Sequence, residues 1–124
     1  MAKAKKILII EDDEHLSRIY DIKFAKEKLP TVLATDGEEG LKATIEHKPA
    51  VVLLDLMLPK RDGFWVLEEM KKRGLLKGIR VIVLSNLGQR ADIDRAMKLG
   101  AAEYLVKVDH SIQEVVDFVK KALA

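Results

Sequence analysis

Residues 51–55 read Val51-Val52-Leu53-Leu54-Asp55, four aliphatic side chains in a row closed by a carboxylate. The run is short and does not alternate, which is the pattern of a strand covered on both faces. The same signature stands at Ile7-Leu8-Ile9-Ile10, followed by Glu11-Asp12-Asp13, and at Val81-Ile82-Val83-Leu84, followed by Ser85-Asn86. Two shorter runs, Val32-Leu33-Ala34 and Tyr104-Leu105-Val106, complete a set of five.

Between the runs, apolar residues fall at helical spacing. Leu16, Ile19, Tyr20 and Phe24 share one face, as do Leu41, Thr44 and Ile45; Phe64, Leu67 and Met70; and Ile93, Ala96 and Met97. Ile112, Val115, Val116, Val119 and Leu123 form the cleanest stripe. Asp36 with Glu39, and Ser111 with Glu114, have the spacing of helix-start capping pairs, and Gly74 and Gly100 stand where helices should stop. Strand alternating with helix five times predicts an α/β fold: a doubly wound, five-stranded parallel sheet with helices on both faces and right-handed crossovers.

The 124 residues predict one domain, 1–124, with a core over about 6–123, and an apolar content of 48% is enough to fill it. With 22 basic against 20 acidic residues, interleaved along the chain, the composition argues against a dedicated nucleic-acid binder. The absence of cysteine excludes a disulfide frame and a thiolate metal site. No apolar run is long enough to span a membrane, and a cytoplasmic location is expected. The basic stretch Lys71-Lys72-Arg73, with Lys77 and Arg80, reads as a solvated face because no aromatic residues interleave it.

In an open parallel sheet, ligands bind beyond the carboxyl ends of the strands. The residues delivered there are Glu11, Asp12 and Asp13 after the first run, Asp55 after the third, Ser85 and Asn86 after the fourth, and Lys107 after the fifth. Singly, each has a bland reading as helix cap, turn residue or solvated charge. Together, Glu11, Asp12 and Asp55 would crowd three carboxylates into one pocket, an arrangement that a hard divalent cation such as Mg²⁺ would neutralise. A cation, an ammonium and a hydroxyl gathered around an Asp carboxylate suit a phosphoryl group.

On these residues the chain resembles the receiver domain of two-component response regulators. Ile7 to Glu14 looks like the family's first-strand acidic motif, and Leu54-Asp55-Leu56-Met57-Leu58-Pro59-Lys60-Arg61-Asp62-Gly63 looks like its phosphoacceptor signature. Ser85, Lys107 and Tyr104 match the hydroxyl, the lysine and the aromatic switch position. The resemblance implies strand order 2-1-3-4-5, with Asp55 as phosphoacceptor and Mg²⁺ held by Asp12, Asp55, the Met57 carbonyl and, through water, Glu11. It implies that Lys107 and Ser85 contact the phosphoryl oxygens. A switch is also implied: Ser85 and its loop move inward, Tyr104 enters the vacated space, and the face of helix four, strand five and helix five is remodelled. The implied partners are a sensor histidine kinase or histidine phosphotransfer protein as donor and a downstream protein target, with a phosphorylation-dependent dimer as a further expectation. Such a domain is not an enzyme towards other molecules; it catalyses only its own phosphorylation and slow dephosphorylation. The alternative is a receiver-fold docking module that acts without phosphorylation.

Two departures stand out. Val108 follows Lys107 where the family usually has a cis proline, so a trans bond is expected there. Met57 and Leu87 offer no polar group to position water, which predicts a long-lived phospho-form. A haloacid-dehalogenase-type phosphatase would need a second Asp where Met57 stands, and a nucleotide-binding module would need a glycine-rich loop that the sequence lacks. His15, His47 and His110 lack metal-ligand spacing and are expected at the surface.

Overall fold

The structure, a computed structural model, describes residues 5–124. Ten elements alternate: β1 (Ile7–Ile10), α1 (Glu14–Lys26), β2 (Thr31–Ala34), α2 (Gly37–His47), β3 (Val51–Leu54), α3 (Gly63–Lys72), β4 (Arg80–Ser85), α4 (Arg90–Lys98), β5 (Glu103–Val106) and α5 (Ile112–Leu123). Single 3-10 turns occupy Leu75–Lys77 and Lys107–Asp109. The strands form one parallel sheet in the order β2-β1-β3-β4-β5, the order that the resemblance implies.

Each central strand is buried on both sides, and the pleat divides its side chains between two cores. Leu8, Ile10, Val52, Leu54, Val81 and Val83 face α2, α3 and α4, where Leu41, Phe64, Leu67, Met70 and Ala96 meet them. Ile7, Ile9, Val51, Leu53, Ile82 and Leu84 face α1 and α5, where Tyr20, Phe24, Val115, Val116 and Val119 complete the layer. The α5 stripe is the one the periodicity marks most clearly, and each of its buried valines contributes about 1.5–2 kcal/mol.

Two assigned core positions require correction. Ile45 and Met97 are exposed. The α2 helix seats Gly40, Leu41, Ala43 and Thr44 instead, and α4 buries only Ala96, so each apolar stripe is narrower than its spacing suggests. At the sheet margin, Leu33 of the edge strand β2 is exposed, in an open cleft beside Ser17, Asp21 and Ile22 of α1. His110 also departs from a surface reading: its Nδ1 is buried, and its ring packs edge-on against Phe118.

Helix starts are fixed by side chains. Asp13, Asp36, Asp62 and Ser111 each accept backbone N–H bonds at the starts of α1, α2, α3 and α5. Ser111 and Glu114 complete a reciprocal capping box. The start of α4, at Gln89, has no such bond. Gly74 and Gly100 follow the ends of α3 and α4 with φ of 71° and 108°, a region open to glycine at little cost.

Candidate functional site

Sheet register positions the site. Ile10 pairs with Leu54, so the residues that follow, Glu11 and Asp55, leave neighbouring strands side by side. The Asp55 N–H donates to the Ile10 carbonyl at 3.0 Å and locks the two strand ends together. Asp12 lies one residue further on, at the solvent side. One carboxylate oxygen from each of Glu11, Asp12 and Asp55 falls within 4.8 Å of the others.

Both inner carboxylates are buried, with Glu11 4% and Asp55 5% exposed. Lys107 reaches over from the end of β5 to pair with both, its Nζ 2.8 Å from Asp55 Oδ2 and 2.5 Å from Glu11 Oε1. The remaining oxygens are held by backbone: Asp55 Oδ1 accepts from Met57 N–H at 3.1 Å, and Glu11 Oε2 accepts from Asp13 N–H at 3.1 Å.

One ammonium does not balance the carboxylates around it. Burial pushes the Glu11 carboxyl up, the bond from Lys107 pulls it back and the charge of Asp55 pushes it up again, leaving it at about 7. Burial works to lower the Lys107 ammonium, but its bonds to Asp55 and Glu11 outweigh that and hold it above its ordinary value. Tyr20 lies beneath the pair; burial, aided by the Glu11 charge, pushes its phenol up to about 12. The space between Tyr20 and the two carboxylates is only about 10 Å³, at the lower limit for a water molecule.

The Asp62-Gly63 pair has a steric reason. Gly63 N–H donates to the Leu56 carbonyl at 2.9 Å, folding the loop back onto the strand it leaves. A Cβ at Gly63 would lie 2.4 Å from the Asp55 carbonyl oxygen, well inside contact distance. Sequence reading identified the motif without this contact, which only the folded loop reveals.

The other site residues of the sequence reading lie around this centre. Ser85 ends β4 fully buried, and its Oγ accepts from Leu87 N–H at 3.3 Å. It makes no hydrogen bond to Asp55 or Lys107 among the described residues. Tyr104, partly buried on β5, donates its hydroxyl to the Leu87 carbonyl, a partner that sequence gave no sign of. Met57 is 57% exposed at the mouth of the site, and Val108 beside Lys107 is 80% exposed. No cis peptide bond occurs among the described residues, Lys107–Val108 included.

Comparison with known proteins assigns a family to this open α/β sheet and its buried acidic pocket. The response regulator receiver domain model matches residues 7–120, and the chain belongs to that family. It is 38% identical over 103 residues to the probable transcriptional regulator ycf27 of Cyanophora paradoxa, covering 83% of this chain and 42% of that protein. It is 31% identical over 103 residues to the alkaline phosphatase synthesis transcriptional regulatory protein PhoP of Bacillus subtilis, again covering 83% of this chain and 42% of the relative. The chain thus spans less than half the length of these relatives. Among solved structures, the receiver domain of the Francisella response regulator 1452 superposes with a TM-score of 0.86 at 29% identity, covering 95% of each chain. CheY in the CheX-CheY-BeF3-Mg complex of Borrelia burgdorferi gives 0.86 at 26% identity, covering 97% of this chain and 90% of that one.

The three carboxylates fit a hard divalent cation. They are oxygen donors within reach of one common point, with too little positive charge opposite them, and one remains open to solvent. No helix of the described residues is long and apolar enough to cross a membrane.

Proposed function

We propose that this chain is a phosphorylation-dependent switch that accepts a phosphoryl group from a phosphohistidine donor onto Asp55. A carboxylate oxygen of Asp55 forms the new P–O bond as the donor's P–N bond breaks; the electron pair goes to the departing imidazole, which takes a proton from solvent. Glu11, Asp12, Asp55 and the Met57 carbonyl are the groups that would hold Mg²⁺, which supplies positive charge to the phosphoryl oxygens when bound. Lys107, already bonded to Asp55, brings a mobile ammonium to the same oxygens. The Ser85 Oγ accepts from Leu87 and has its own proton left to donate, so Ser85 is suited to bond a phosphoryl oxygen.

The same reading makes Tyr104 the reporter. Its hydroxyl is tied to the connection that carries Ser85, so a movement of Ser85 towards Asp55 pulls on the ring and on the face formed by α4, β5 and α5. The donor would be a sensor histidine kinase or a histidine phosphotransfer protein, and a downstream protein target would read that face. Phosphorylation-dependent dimerisation and a cytoplasmic location belong to the same proposal, as does one receiver domain over residues 1–124 that acts only on its own phosphoryl group.

The observation that carries the reading is the joint grip of Lys107 on Asp55 and Glu11 beside Asp12. Intact mass after incubation with acetyl phosphate and Mg²⁺ tests it. A gain of about 80 Da is expected, absent without Mg²⁺ and absent in Asp55→Ala. Folded wild-type protein that gains no mass, and binds no beryllofluoride by NMR, would leave the docking-module alternative.

A further inference from the structure

The end of the sheet opposite Asp55 carries a basic groove that the phosphoryl chemistry does not use. In a parallel α/β fold every helix points its C-terminus towards this end, and basic residues there complement the helix dipoles. Lys26, Lys72, Lys98 and Lys121 in the last turns of α1, α3, α4 and α5 need no further reason. Lys5 donates to the Leu123 carbonyl at the end of α5 and is accounted for in the same way; Lys77 and Arg80, which lie in a 3-10 turn and open β4, are not. Lys48 caps α2 in the left-handed region at φ 45°, where a lysine is unusual.

Lys5, Lys6, Lys48, Lys77 and Arg80 line two adjoining clefts of about 390 and 740 Å³ that share Lys5, Ala50 and Gly78. Glu46 is the one acidic side chain among the described residues of their lining. Lys48, Lys77 and Arg80 have no ion-pair partner within 4.0 Å among the described residues. Ala50, Leu76, Ile79, Ala122 and Leu123 supply apolar surface between them. Like charges so gathered repel one another unless an anion joins them.

We propose that this groove docks an extended acidic segment of a partner protein, with apolar residues interspersed among its carboxylates. An extended chain alternates its side chains, which suits a groove lined by both cations and apolar side chains. Among the described residues the groove has no Phe, Tyr or Trp and its one ring is His47, a poor platform for successive bases, which disfavours single-stranded nucleic acid. Clefts of this size seat a single extended chain. A concave surface likewise matches a peptide better than the plane of a bilayer. The site lies on the far side of the sheet from Asp55 and does not depend on phosphorylation.

The probe is a fluorescein-labelled peptide of repeated Asp-Glu-Leu, titrated with the whole chain and read by anisotropy, with amide shifts mapped in parallel. Saturable binding that weakens with salt is expected, with shifts gathered at Lys48–Ala50 and Leu76–Arg80. Lys77→Glu combined with Arg80→Glu should weaken it roughly tenfold, while Lys42→Glu with Arg90→Glu, of equal net charge, should leave it within about twofold. If the first pair fails to fold, Lys77→Gln with Arg80→Gln should still cost roughly threefold. Equal losses from both charge-reversed pairs, or shifts centred elsewhere, would overturn the proposal. So would tighter binding of an oligonucleotide or an anionic vesicle through the same residues.

Discussion

The hydroxyl of Tyr104 on β5 donates to the backbone carbonyl of Leu87, two residues beyond Ser85, and so ties one strand to the connection that leaves its neighbour. Removing that bond with Tyr104→Phe should lower stability by about 1 kcal/mol, read from urea unfolding. Amide exchange should quicken at Leu87 and Gly88, while the rates in β1 and β3 stay unchanged. Unchanged exchange in that connection would show that the hydroxyl restrains nothing.

Among the described residues, Lys107 is the one cation in contact with the two buried carboxylates. Lys107→Met leaves Glu11 and Asp55 facing each other without a counter-charge, and should destabilise the metal-free protein by about 3 kcal/mol. Added Mg²⁺ should restore more stability to the variant than to the wild type, because the ammonium no longer competes for the carboxylates. Thermal unfolding with and without Mg²⁺ measures both.

Burial first, and then the Asp55 charge, hold Glu11's proton to about pH 7, against an ordinary value of 4.5. A carboxyl that binds its proton more tightly folded than unfolded stabilises the fold at acid pH. That contribution is complete below 4.5 and is lost as pH rises through about 7. Metal-free wild type should therefore lose stability relative to Glu11→Gln across this window. Glu69 and Glu114, whose carboxyls their own partners hold lowered, add the opposite slope on the acid side of 4.5; the difference between the two proteins removes their part. A parallel pair of curves would remove Glu11 as the cause.

Gly63→Ala places a methyl where the Asp55 carbonyl and the Leu56 Cα already stand, at 2.4 and 2.7 Å. Backbone rather than a flexible side chain must give way, so a loss of about 2–3 kcal/mol is expected. Phosphorylation at Asp55 should slow as well, because the displaced segment carries the Met57 carbonyl. Chemical denaturation and the mass assay with acetyl phosphate check the two halves separately.

Met57 stands 57% exposed at the mouth of the site and has no group to orient water. Met57→Asn should shorten the lifetime of the phospho-form severalfold, followed by loss of the added mass over time. Leu87→Glu should act in the same direction. A lifetime unmoved by either change would show that water is positioned by something else.

The three central strands were legible because each is a dense aliphatic run, and the carboxylates because the register of a parallel sheet carries Glu11 and Asp55 to adjacent positions. Contacts made by main chain were not legible. The Leu87 carbonyl that accepts from Tyr104, and the Asp55 carbonyl that excludes a side chain at Gly63, are common to every residue type and leave no trace in composition. Ile45 and Met97 misled because a stripe three or four residues wide records where a helix can bury side chains, not how far its neighbour extends to cover them. The basic groove was hidden for a related reason: its cations come from segments far apart in the chain and meet only at one end of the sheet.

Four of the five helices begin on a side chain that grips their first turn; α4 begins on Gln89, which does not. In mechanical terms the domain is a frame with four bolted joints and one left loose. The loose joint adjoins the connection that carries Ser85, so displacement there meets least resistance at the head of α4. On the proposed function, a phosphoryl group added at the rim would act first on that joint.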